Sequence, residues 1–185
     1  MEQNTVLLVM DMQAIILGRL PNAATVVGNV AGAIAAARGK KIPVIYVVVG
    51  FRQGMPEISA NNKTFSGARA RMTNVSVEES MKIEPALAPL EGEIVVVKRR
   101  HSAFTGSDLE VILRAFGARH LVLSGVATSG VVLSTLREAA DKDYQITVLA
   151  DGCGDGDEEV HRVLTTKVFL PQANVVNVKE WVGSL

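Results

Sequence analysis

Apolar residues gather in short runs along the chain, and polar stretches with helical spacing separate them. Thr5–Met10, Ile42–Val49, Ile94–Val97, His120–Ser124, Gln145–Ala150 and Ala173–Val178 are rich in Val, Ile and Leu. Runs of that kind predict strands buried on both faces, as in a parallel sheet. Between them, Pro21–Arg38, Asp108–Phe116, Val131 to about Asp143 and Asp157 to about Phe169 carry apolar residues at helical spacing. Ser107 is placed to cap the second of these. Strands alternating with helices predict an α/β fold, a three-layer α/β/α sandwich around a mainly parallel sheet of about six strands. One stretch breaks the rhythm. Gly50–Glu93 is too long and polar for a plain connection, and reads as a solvated excursion with one irregular helix or as a cover over a site. As a cover, it offers Phe51, Arg52, Asn62, Lys63 and Phe65 as candidate lining.

The ends of the runs carry the chemistry. Thr5–Met10 stops at Asp11, with Gln13 two residues on, and Ile94–Val97 stops at Lys98. In an open parallel sheet ligands bind at the carboxyl ends of the strands, so the acid and the base are expected at one edge. His120–Ser124 ends at Gly125 and turns through Val126, Ala127, Thr128, Ser129 and Gly130 into a helix opening at Val131. Such a strand–elbow–helix directs backbone N–H groups and the positive end of a helix dipole at one point, where an anion or oxyanion is stabilised. The same pattern is also that of an ordinary βα turn.

Composition narrows the function classes. The chain has 185 residues, the size of a single domain over residues 1–185 with one sizeable core. Lys+Arg 19 balance Asp+Glu 19, so there is no basic excess for nucleic acid or anionic lipid. A polar N-terminus followed by a run too short for a signal peptide or a span predicts a cytoplasmic protein with no membrane partner. The lone Cys153 forms no internal disulfide; it is expected just past the fifth strand, packed as a small apolar residue. His101, in a run of bases, reads as a surface or interface residue. The acids of Asp151–Glu159 with His161 read as first-turn carboxylates offsetting a helix dipole rather than as a metal site. The Ala-rich, apolar helix from Ala23 to Ala37 suits sheet packing or a subunit contact, and a homodimer or higher homo-oligomer is expected.

Residues 6–13 (VLLVMDMQ), 95–110 (VVVKRRHSAFTGSDLE), 121–144 (LVLSGVATSGVVLSTLREAADKDY) and 148–164 (VLADGCGDGDEEVHRVL) together resemble the isochorismatase-like hydrolase family, which includes isochorismatases, nicotinamidases and N-carbamoyl amide hydrolases. The resemblance implies a small-molecule hydrolase in which the Asp, Lys and nucleophilic Cys of the amidase branch fall on Asp11, Lys98 and Val131. Val131 has no nucleophilic atom. The metal motif of nicotinamidases falls on Gly50-Phe51-Arg52, so neither a metal nor another cofactor is expected. The resemblance also places Phe104 at the pocket wall. Substrate or oxyanion contacts are thus expected from Gln13, Phe51, Phe104 and the elbow Ala127, Thr128, Ser129, Gly130 and Val131. Family isochorismatases, which lack the Cys and cleave a vinyl ether, carry an aromatic and a His where this chain has Ala127 and Ser129. Non-covalent acid/base hydrolysis by Asp11 and Lys98 is the first reading. An amide or carbamoyl hydrolase using a hydroxyl of Thr128, Ser129 or Ser134 is the second, and a non-catalytic binding or oligomeric descendant is the third.

Overall fold

The structure, a computed structural model, describes residues 4–72 and 75–185. In chain order the elements are β1 (Thr5–Met10), α1 (Ala14–Leu17), α2 (Ala23–Gly39), β2 (Val44–Val49), α3 (Lys63–Met72), α4 (Val77–Met81), β3 (Ile94–Lys98), α5 (Leu109–Ala115), β4 (His120–Val126), α6 (Leu133–Asp141), β5 (Gln145–Gly154), α7 (Glu158–Val163), β6 (Asn174–Val176) and α8 (Val178–Ser184). The strands form one sheet in the order β3-β2-β1-β4-β5-β6, and every pairing is parallel. The order reverses direction between β1 and β4, the position at which doubly wound sheets open a crevice at their carboxyl edge.

Because successive side chains of a strand point to opposite faces, each apolar run feeds two cores. Val6, Leu8 and Met10 pack with Leu109 and Leu113 of α5 and Leu136 and Ala139 of α6. On the other face, Leu7 and Val9 pack with Val26, Val30, Ala33 and Ile34 of α2 and with Val178 and Trp181 of α8. Of the small residues of α2, Ala33 and Ala37 serve sheet packing, while Ala24, Gly28, Gly32 and Ala35 face outward.

Several elements depart from expectation. The last segment is a helix, α8, started by a reciprocal capping box between Asn177 and Glu180 and held down by the buried Trp181. β5 runs on past Asp151 to Gly154. Its register against β4 shifts between Leu123 and Gly125, so that Cys153 pairs with Gly125 and lies within the strand rather than beyond it. The helices after β4 and β5 each contain one wide turn, Thr128–Val132 before α6 and Leu164–Val168 after α7. The Gly50–Glu93 excursion folds into α3, α4 and a single tight turn at Pro85–Leu87, more structure than one irregular helix.

Candidate active site

Asp11 and Lys98 meet. Asp11 leaves β1 one residue beyond Met10, which is level with Val47 on β2, and Val47 is level with Val96 on β3. β2 thus stands between the acid and the base, a separation of about 10 Å at ordinary strand spacing. The four-carbon arm of lysine spans that gap, and Lys98 Nζ lies 2.8 Å from Asp11 Oδ2. The ammonium also donates to the Arg100 carbonyl at 2.8 Å. Both side chains are buried, Lys98 1% exposed and Asp11 6%. Asp11 sits in the left-handed region, φ +54, a conformation in which a short acidic side chain is tolerated better than most. Burial pushes its carboxyl up from the ordinary 3.8 to about 6, with the Lys98 charge and hydrogen bond pulling in the opposite direction. Its second oxygen, Oδ1, is buried and has no hydrogen-bond partner among the described residues.

Gln13 secures this corner. Its amide nitrogen donates to the carbonyls of Val49 (3.0 Å) and Ser80 (2.5 Å), and its oxygen accepts from the Val49 N–H (2.8 Å). The side chain is fully engaged with backbone, so it joins the Asp11 loop to the end of β2 and to α4.

The elbow after β4 approaches β1 closely. Gly125 has φ +147, and a Cβ there would stand 2.2 Å from the Met10 carbonyl oxygen, so only glycine fits. The Val126–Ala127 peptide is cis. Gly130 and Val132 donate to the Ala127 carbonyl, and the Ser129 N–H donates to Asp155 at 2.7 Å. Thr128, fully buried, has its hydroxyl 2.8 Å from His161 Nδ1. The acids and His161 after β5 thus brace the elbow, and among the described residues no three His, Cys, Asp or Glu side chains are grouped to hold a metal ion. That brace was not legible in the sequence, where Asp11 is the only base within a motif's reach. Val131, 2% exposed, fills the head of the helix as part of the core.

The aromatic candidates separate. Phe51 packs edge-on to Phe65 at 5.6 Å, and Phe65 in turn lies 5.0 Å from the His101 ring. Phe104 instead stacks on Tyr144 at 6.2 Å beneath Lys142, beyond the C-terminal end of α6. Its ring contacts are thus at that end of the core. His101, expected at the surface or an interface, stands against Phe65 with Nδ1 3.7 Å from where a Gly130 Cβ would be. It is an exposed residue, but one that borders the elbow. Of the other cover residues, Asn62 caps the start of α3 by accepting from Phe65 N–H, and Lys63 opens that helix. Arg52 pairs with Glu57 at 2.6 Å, Arg99 approaches Glu57 at 3.5 Å, and Arg100 donates to the Glu57 carbonyl. Glu57 therefore fastens the cover to the segment that carries Lys98. A cavity of about 650 Å³ lies within the cover, between Phe51–Met55, Arg69 and α4. Its lining includes neither Asp11 nor Lys98, so its size does not make it the reaction site.

The chain as a whole has relatives. Residues 5–180 match the isochorismatase domain. The chain belongs to the isochorismatase family. It is 31% identical to the uncharacterized isochorismatase family protein YecD of Escherichia coli O157:H7, over 99% of this chain and 97% of that one. It is 29% identical to the ureidoacrylate amidohydrolase RutB of Pantoea ananatis, over 98% of this chain and 78% of the relative. Among solved structures, an isochorismatase family protein from Burkholderia thailandensis superposes with a TM-score of 0.88 at 27% identity, covering 100% of this chain and 97% of that one. The N-carbamoylsarcosine amidase of Thermoplasma acidophilum shares the fold at a TM-score of 0.77 and 24% identity, covering 95% and 96%.

Proposed function

We propose that this family member is a small-molecule hydrolase working by non-covalent acid/base chemistry of the vinyl-ether type, with Asp11 as proton donor and Lys98 as its electrostatic partner. The observation that carries the reading is the buried 2.8 Å pair beside an elbow whose helix opens on Val131. Amidase-branch chemistry would need a nucleophile at that head, and valine supplies none. The chain's one thiol, Cys153, is buried in β5 and pushed up to about 12 by that burial, so it does not serve instead. Water is then the nucleophile. A carboxyl raised to about 6 keeps its proton up to that pH, well above the range of an ordinary aspartate, as a donor to an enol-ether carbon must. Lys98 limits the rise in its pKa and stabilises the carboxylate left after transfer. Elbow N–H groups not engaged by Ala127 or Asp155, with Thr128 and Val131 as the positions, would receive a carboxylate or oxyanion.

The Thr128–His161 hydrogen bond and the amidohydrolase and amidase relatives favour a second reading, amide or carbamoyl hydrolysis with a hydroxyl nucleophile. Thr128 has no exposed surface, which ranks this reading lower. The chain is also expected to form homo-oligomers, a dimer by symmetry preference, supported by exposed Leu90, Val111 and Phe116.

Purified protein assayed on vinyl ethers, amides and N-carbamoyl compounds tests the readings. Turnover of a vinyl ether should fall at least about a hundred-fold in Asp11→Asn and comparably in Lys98→Ala. The double variant should lose little more than either, because the two act as a unit. Full activity in a folded Asp11→Asn protein rejects the assignment, and an acyl or carbamoyl adduct on Thr128 in quenched intact-mass spectra selects the second reading.

A further inference from the structure

If water is the nucleophile and Asp11 gives its proton to the substrate, a separate group must receive the proton that the water loses. The three histidines differ in what they can offer. His120 lies between the hydroxyls of Thr5 and Thr147, and His161 is bonded to Thr128. Neither ring nitrogen of His101 makes a hydrogen bond among the described residues, and the residue is exposed. Its backbone is held on both sides. Arg100 immediately before it gives its carbonyl to Lys98, and Ser102 immediately after it donates to Glu138 of α6 at 2.6 Å. The Phe65 ring supports the imidazole from one side, and Nδ1 is directed at the elbow, 3.7 Å from the Gly130 Cβ position. A substrate resting on the elbow would meet this ring, whose other side is open to solvent.

We propose that His101 is the general base of the reaction, accepting a proton from the water that attacks the substrate held over the Gly130 elbow. The proposal rests on the acid/base reading above. Asp11 transfers its proton to the terminal carbon of the vinyl ether, leaving an oxocarbenium centre. Water oxygen bonds to that centre as its proton passes to the free ring nitrogen, giving a hemiketal or hemiacetal and an imidazolium. Breakdown of that adduct releases the alcohol and a carbonyl product. The imidazolium proton, returned through solvent, restores Asp11, so one water is consumed and no oxidant or reductant is needed. Although the residue is exposed overall, partial desolvation of its ring, which lies against Phe65, and the Lys98 charge hold the His101 imidazole below its usual value, which keeps it neutral and basic at neutral pH. The other charged group beside it is Arg100, which lies over the same Phe65 ring; Asp155 is held at the elbow by the Ser129 N–H.

The test compares wild type, Asp11→Asn, His101→Ala and His101→Gln on vinyl ethers with and without a carboxylate. Because His101 is exposed and caps nothing, both His101 variants should melt close to wild type. The expected result is a kcat lower by about a hundred-fold or more in both, with KM within a few-fold. Added imidazole should restore part of the His101→Ala rate, and the acid-side fall of kcat should disappear in both variants. A His101→Ala protein that keeps its kcat while Asp11→Asn loses it overturns the proposal and leaves the acid/base reading standing. A loss that imidazole does not restore, with the acid-side fall unchanged, assigns His101 a structural role and also overturns it. No turnover of any vinyl ether by wild type removes the acid/base reading and this proposal with it.

Discussion

Asp11 is subject to opposing demands: burial favours its neutral form and Lys98 its ionised form. With Asp11 as donor, kcat should fall as pH rises through about 6, because the proton to be transferred is lost. The same shift sets a stability trend. A carboxyl whose folded pKa lies above its unfolded value contributes stability that is full below about 3.8 and declines as pH rises towards 6. Lys98→Met removes the charge that limits the rise, so Asp11 must then be either ionised without a partner or protonated against a higher pH. Thermal melting should show a loss of about 3–5 kcal/mol at pH 8 and a clearly smaller one at pH 5. An equal loss at both values would mean that Asp11 is not the group in question. The two partners were legible in the sequence because each is the first charge after a buried run. His101, Phe104 and Gln13 were not, because loop paths and not periodicity decide what those side chains meet.

Among the elements, the elbow and the cover position the site. Gly125 is set by its approach to Met10, and Gly125→Ala should cost at least about 2–4 kcal/mol in chemical denaturation, since neither β1 nor the turn can withdraw without breaking the sheet. A variant within experimental error of wild type would show that the approach relaxes cheaply. Apolar runs foretold the strand cores well, since burial on both faces leaves an unmistakable composition. They underestimated β4 and β5 at the ends where small residues, Gly125, Gly152 and Gly154, continue the pairing without apolar bulk. The cover was harder to read, since polar sequence there folds through capping, as at Ser76 of α4, and through the Arg52–Glu57–Arg99 cluster. Neither leaves a periodic trace.

At the scale of the whole molecule, the alternation of strands and helices made the three-layer architecture legible, but nothing in it fixed the strand order. That order puts Asp11 just past the end of an interior strand and Lys98 on β3, at the margin of the sheet with one neighbour only. Margins of a sheet separate in thermal fluctuations more readily than its centre. A chemical step that depends on the two strands holding their distance therefore responds to a marginal seam of the sheet rather than to its global stability. On gentle heating, turnover should vanish reversibly several degrees below the midpoint followed by far-ultraviolet dichroism, while deuterium uptake rises first in Ile94–Lys98. Coincident loss of activity and of helix signal would contradict this. The Asp11–Lys98 pair would then act as a built-in thermometer of its own scaffold, silencing the enzyme while nearly all of its fold is intact.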